Sequence, residues 1–205
     1  MTTAAEIKRV VRLTLEREPR LIYHKRLLIV PPVGHYLRAF LLDQTSTKEV
    51  FRLCYLVQPL YAPSQWVSPG FGDDLHVGPR WSVKDPAIPQ YVADVVLGEG
   101  MKRIGHVDSP EAFLEYAKGL EELRLARRKF YIFLTLALLG RFDEARPLGQ
   151  EIVAGYLPYT SAHQHARRFL RLFDDGPARV RRVLKSWEQG TARRLQVDGF
   201  WQSQW

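Results

Sequence analysis

The chain has 205 residues, of which 46% are apolar and 25% charged; 30 Lys and Arg stand against 22 Asp and Glu, a formal charge of +8. That apolar mass is enough for a core and excludes collagen-like, disulfide-rich and wholly disordered chains. A single cysteine, Cys54, excludes an intramolecular disulfide and a cysteine-rich zinc site, and it fits a reducing compartment, so the cytoplasm is the expected location.

Ile7, Val10, Val11 and Leu15 recur at three- and four-residue steps, and Pro19 breaks the pattern, which predicts an amphipathic helix over residues 4–17 with a basic outer face. Charges interrupt its apolar positions, unlike the continuous apolar run of a secretory signal. From Leu21 to Gln58 the period changes. Leu27–Val30, Tyr36–Leu42 and Val50–Val57 are rich in β-formers and separated by turn-forming residues, so they read as an antiparallel meander. In the third segment Phe51, Leu53, Tyr55 and Val57 share one face, and Arg52, Cys54 and Gln58 share the other, which is expected to be partly wet.

Residues 59–90 contain Pro59, Pro63, Pro69, Pro79, Pro86 and Pro89 with Gly70, Gly72 and Gly78, which forbids long helices. Trp66, Phe71 and Trp81 argue that this excursion is ordered. Interfaces favour Trp, Tyr and Arg as anchors, so Tyr61, Trp66, Phe71, Arg80 and Trp81 are the candidate partner-binding residues.

The remainder reads as helical. One helix is expected over Gln90–Leu97, and another opens at Ser109-Pro110-Glu111, where Ser109 caps and Pro110 suits the first turn. Leu120–Leu139 predicts a long helix closed by Gly140. Asp143 then caps a following helix to about Tyr156, making a single helical hairpin with a tetratricopeptide-like turn. The apolar run Phe130–Leu139 is too short to span a bilayer, so no membrane partner is expected. From Ser161 onward nine basic residues face four acidic ones, on two short helices broken near Gly176-Pro177. The expected fold class is α+β: residues 1–89 form the N-terminal helix, sheet and Pro/aromatic loop, and residues 90–205 form a helical half packed on it as one body.

Chemistry is harder to place. Arg167, Arg168, Arg171, Arg181, Arg182 and Lys185 are candidate nucleic-acid-binding residues, because a positive patch attracts phosphates. Their spacing also suits a solvated helix face, and no zinc-finger, RNP or KH pattern accompanies them. The six histidines lack metal-ligand spacing, so no metal and no cofactor is expected. His163 and His165, two apart, would point to different sides of a helix. Asp73 and Asp74 after Gly72 suit a turn and, with His76, also suit cation binding or proton transfer. An enzyme would require His35, His76 and Asp73 to meet in one pocket. Cys54, mid-strand, reads as an inert small hydrophobe, with Arg52 on its face as the one activating neighbour. No phosphate-binding loop and no G-x-S-x-G elbow is present.

The order Arg26-Leu27-Leu28-Ile29-Val30-Pro31-Pro32, then His35-Tyr36-Leu37-Arg38-Ala39-Phe40, then Phe51 to Pro59-Leu60-Tyr61, resembles small uncharacterised bacterial α+β proteins, some of which resemble immunity proteins of toxin systems. The match covers residues 26–61 and carries structural positions only. It implies a non-catalytic bacterial binding module that meets one partner protein, or a subunit of a larger assembly; nucleic-acid binding through the basic C-terminal helices is the alternative.

Overall fold

The computed structural model describes residues 2–75, 81–120, 125–155 and 160–205, with the backbone alone at 125–127. The first helix, α1 (Ala4–Arg17), falls on the predicted residues. Thr3 and Glu6 close a reciprocal capping box at its start, and Ile7, Val10 and Val11 are buried. The sheet then runs as a meander, β1 (Ile22–His24), β2 (Leu27–Val30), β3 (Tyr36–Gln44), β4 (Val50–Pro59) and β5 (Trp81–Ser82), each strand antiparallel to the next. The short β1, unmarked by any apolar run, exists because Lys25 adopts a left-handed conformation and folds the chain back so that His24 faces Leu27. The β3–β4 ladder carries the sheet, from Tyr36 opposite Pro59 to Gln44 opposite Phe51.

Helices follow in order. α2 (Ile88–Val95) continues through a π turn at Val96–Gly100 into α3 (Met101–Ile104). α4 (Pro110–Gly119) begins where expected, with the Ser109 hydroxyl accepting from the Ala112 amide. α5 (Leu125–Leu138) and α6 (Phe142–Gly155) form the hairpin. At its turn Gly140 takes φ +74°, and Arg141 and Gly140 donate back to Leu136 and Ala137, the paired bonds that terminate a helix on a left-handed glycine. Asp143 does not cap α6 but lies in its first turn, where its charge suits the helix dipole. The hairpin is not isolated, because α7 (Ser161–Arg171) packs against α6. Nor are both tail helices short: α8 (Pro177–Leu195) has 19 residues.

Two apolar cores result. The larger one joins Phe51, Leu53, Tyr55 and Val57 of β4 to α1, α2, α4, α5 and the first half of α8 through Val180 and Leu184. The smaller covers the opposite sheet face, where Ile29, Leu37, Ala39 and Leu56 meet Ala192, Leu195 and Val197. The second face of the sheet is wet only in part: the end of α8 lies on it and Cys54 and Gln58 are buried, whereas Arg52 is exposed. Helix α8 passes from one core to the other.

The Pro-rich excursion packs alongside β4. Leu75 donates to the Leu53 carbonyl, Tyr55 to that of Asp73, and Trp81 pairs with Phe51 as part of β5. Gly72 permits this approach: a Cβ there would lie 1.9 Å from the Tyr55 carbonyl oxygen. Gly72→Ala should therefore lower stability by about 1–3 kcal/mol through overpacking. Gly98→Ala, in open space within the π turn, should be neutral or stabilising by up to about 1 kcal/mol. Urea midpoints of the two variants check both signs.

Candidate functional sites at the two ends of helix α8

The proposed aromatic anchors divide sharply. Tyr61 is fully buried, Phe71 is 3% exposed and Trp81 8% exposed, so none of these rings offers itself to a partner. Their polar and aromatic contacts explain why. The Tyr36 hydroxyl lies 2.8 Å from that of Tyr61, which lies 2.6 Å from Thr135 Oγ1, and Thr135 donates to the Tyr131 carbonyl. This chain of hydroxyls satisfies the oxygens of Tyr36 and Tyr61 inside the core, and burial raises the pKa of both. Phe71 packs edge-on against Phe113 and Tyr131, and Trp81 against Phe51. Arg80 and His76 lie outside the described residues.

Trp66 is the exception, with 64% of its surface exposed. Its backbone is nonetheless fixed. The Trp66 carbonyl accepts from Gln58 Nε2 at 3.3 Å and from the Ser64 hydroxyl at 2.9 Å, and Gln58 Oε1 accepts the Ser68 amide. From the other side, Arg194 of α8 donates to the Ser64 carbonyl at 2.9 Å, and Thr191 donates to that of Ala62 at 3.3 Å. A rigid loop thus holds an indole in solvent at the edge of a groove of about 400 Å³, whose other walls include Ser161, His165 and Arg194. His165 is stacked on Phe130 and edge-on to Trp187. Its pKa is lowered, first by burial and then by the nearby charge of Arg168. The groove is electropositive through arginine and not through histidine.

The second concavity, about 490 Å³, opens at the other end of α8. Pro110, Leu138, Leu139 and Trp205 form apolar wall, and Arg181, Arg182 and Lys185 line it from α8. His35, at the entry to β3 and 7% exposed, also lines this cavity. Its Nδ1 donates to Glu188 Oε2 at 2.7 Å, and Trp201 Nε1 donates to Glu188 Oε1 at 2.7 Å. Glu188 is completely buried. One carboxylate thereby ties β3, α8 and the C-terminal segment together. That segment is further held where Gln202 donates to the Val33 carbonyl and the His35 amide donates to Gln204.

The residues proposed for proton chemistry do not gather. His35 lines the large cavity, whereas Asp73 and Asp74 line a different one beside Arg52 and Cys54. Asp73 accepts from the Asp74 amide, which is a turn contact. The Cys54 thiol donates to Asp74 at 2.9 Å, and burial first, then that bond, push its pKa up to about 12. Arg52 is drawn away to Asp43. Among the described residues no cluster of three or more His, Cys, Asp or Glu could hold a metal ion, and no helix is long and apolar enough to cross a membrane. The six basic residues proposed for nucleic acid are divided: Arg181, Arg182 and Lys185 line the large cavity, and Arg167, Arg168 and Arg171 lie on α7. Sequence reasoning missed the roles of Glu188 and Gln58. Each is a polar or amphipathic residue whose partner is distant in the chain, so no local spacing marks it.

No family model matches the chain, and no curated protein and no solved structure matches it either.

The Cys54 environment makes a direct prediction. At pH 8 a thiol with so high a pKa holds almost no thiolate, so a disulfide reagent should modify native Cys54 at least about a hundredfold more slowly than the urea-unfolded chain. Asp74→Asn removes the negative charge that holds the proton on sulfur and should speed the native reaction. The time course of thionitrobenzoate release measures both.

Proposed function

We propose that this chain is a protein-binding module that captures an acidic surface of a partner protein, with Trp66 as its central anchor. The observation that carries the reading is an indole left 64% exposed on a loop whose backbone is hydrogen-bonded to both the sheet and α8. An ordered, exposed Trp loses little conformational entropy on binding, and Trp is among the residue types that dominate interface energetics. Arg194 at the groove wall and Arg168 beside His165 supply positive potential, which favours acidic partners and speeds their encounter. The resemblance of residues 26–61 to bacterial proteins related to toxin-system immunity proteins points the same way, toward one stoichiometric partner.

The arginines also support a second reading. Nucleic acid could stack a base on Trp66 and pair its phosphates with Arg168 and Arg194, but the candidate basic residues are divided between α7 and the wall of the large cavity. The two readings separate by experiment. Affinity capture from bacterial lysate, with and without nuclease treatment, should recover one acidic protein in both cases. Trp66→Ala should weaken that capture by about 2 kcal/mol or more, roughly thirtyfold in Kd, with the thermal midpoint unchanged because the ring contributes little to the core. Loss of capture after nuclease treatment would establish the nucleic-acid reading instead, and unchanged affinity of Trp66→Ala would remove the groove from the interface.

A further inference from the structure

The large cavity at the start of α8 is independent of the Trp66 groove and has the composition of a small-molecule site. Its volume of about 490 Å³ falls within the usual range of roughly 300–1,000 Å³ for such sites, which are apolar-walled with a few convergent polar groups. The convergence here follows from helix geometry. Arg181, Lys185 and Glu188 are spaced four and three residues apart, so they share one stripe of α8. Glu188 is consumed by His35 and Trp201; the two cations of the stripe, and Arg182 beside them, are not. Arg141 pairs with Glu144 and Arg146 with Asp174, whereas the cations that line the cavity are left to solvent, as Arg179 is. Arg181, Arg182 and Lys185 make no ion pair or hydrogen bond among the described residues.

Two rings, those of His35 and Trp205, line the same wall. Because His35 Nδ1 is engaged by Glu188, the ring is oriented and its Nε2 is left free of any hydrogen bond among the described residues. His35, 7% exposed, borders this cavity and a much smaller one beside Pro32 and Asp108. The Trp205 ring packs edge-on against His35 at 4.9 Å, and its Nε1 is shielded from solvent without an acceptor. Three cations line the cavity from α8, and Pro110, Leu138, Leu139 and Trp205 give it an apolar wall. A purely ionic ligand would leave the apolar wall wet, and a purely apolar one would bury the approach to three uncompensated charges.

We infer that this cavity binds a small amphipathic oxyanion, an aryl or branched alkyl group bearing one phosphate or carboxylate. The anionic group faces Arg181, Arg182 and Lys185, and the hydrocarbon lies against Leu138, Leu139 and Trp205. Charge-assisted hydrogen bonds to guanidinium and ammonium groups supply the selectivity for anions.

Phenyl phosphate, benzoate, phenol and inorganic phosphate, titrated separately into the full chain by calorimetry, test this. Phenyl phosphate or benzoate should bind saturably with one site per chain, and phenol and inorganic phosphate should each bind at least about tenfold more weakly, the loss of roughly one good interaction. Whichever of the two anions binds more tightly tells phosphate from carboxylate. Lys185→Ala should weaken the bound anion by about tenfold. Arg179→Ala, an exposed charge of the same helix that does not line the cavity, should leave affinity unchanged. Leu139→Trp, which fills the cavity, should abolish binding, with circular dichroism confirming that each variant folds. The inference is overturned if neither anion saturates, if phenol or inorganic phosphate binds as tightly as its amphipathic counterpart, or if Lys185→Ala and Arg179→Ala weaken binding equally. Trp66→Ala should not alter these titrations, so the cavity and the partner groove fail or succeed separately.

Discussion

A carboxylate with no access to solvent needs hydrogen-bond donors for its oxygens, and Glu188 has found two from distant parts of the chain, His35 at the mouth of β3 and the Trp201 indole near the C-terminal end. Neither donor is exchangeable for a neighbour on α8 itself. The requirement therefore fixes where α8 lies and how it is rotated. Val180 and Leu184, before Glu188, enter the core on one side of the sheet, and Ala192 and Leu195, after it, enter the core on the other. Glu188 marks the crossing point, and its bonds to β3 and Trp201 hold the helix there.

Both candidate sites depend on that placement. Toward its C-terminal end α8 offers Thr191 and Arg194 to the carbonyls of Ala62 and Ser64, which fixes the loop that presents Trp66. Toward its N-terminal end it brings Arg181, Arg182 and Lys185 to a cavity whose wall includes the same His35 that Glu188 orients. Burying a carboxylate contributes little net stability on average, because desolvation offsets what its partners return, and the best attested use of such buried polar groups is to specify one arrangement among alternatives. Here the arrangement specified is the rotation of one helix, and through it the geometry of two separate surfaces.

Much of the fold was legible in the sequence because the governing signals are local. The spacing of Ile7, Val10 and Val11, the alternation in β4, the Ser109-Pro110 start and the Gly140 stop each act within a few residues, and each lies where it was expected. The alternation also suggested a partly wet sheet face, because Gln58, Cys54 and Arg52 are polar or small, and of these Arg52 is exposed. Gln58 is in fact buried, its amide spent on Trp66 and Ser68, and Leu56 beside it packs against α8. The aromatic loop misled in the opposite direction. Large rings between prolines suit either an anchor pressed inward or one turned outward, and composition does not distinguish them. Tyr61, Phe71 and Trp81 turned inward because β4 and α5 offered ring and hydroxyl partners, leaving Trp66 alone in solvent. The Glu188 node was invisible for a different reason: its three members are separated by 153 and 13 residues, and only tertiary structure joins them.

The most direct measurement is hydrogen exchange of Glu188→Ala against the native chain. If Glu188 holds α8 at the crossing point, removing it should cost on the order of 3 kcal/mol and speed exchange in three separate segments, the start of β3, the loop at residues 62–68 and residues 197–204, while the α5–α6 hairpin keeps its protection. Faster exchange confined to α8 itself, or spread evenly over every element, would contradict the account by showing that the helix is held by its apolar contacts and not by this carboxylate.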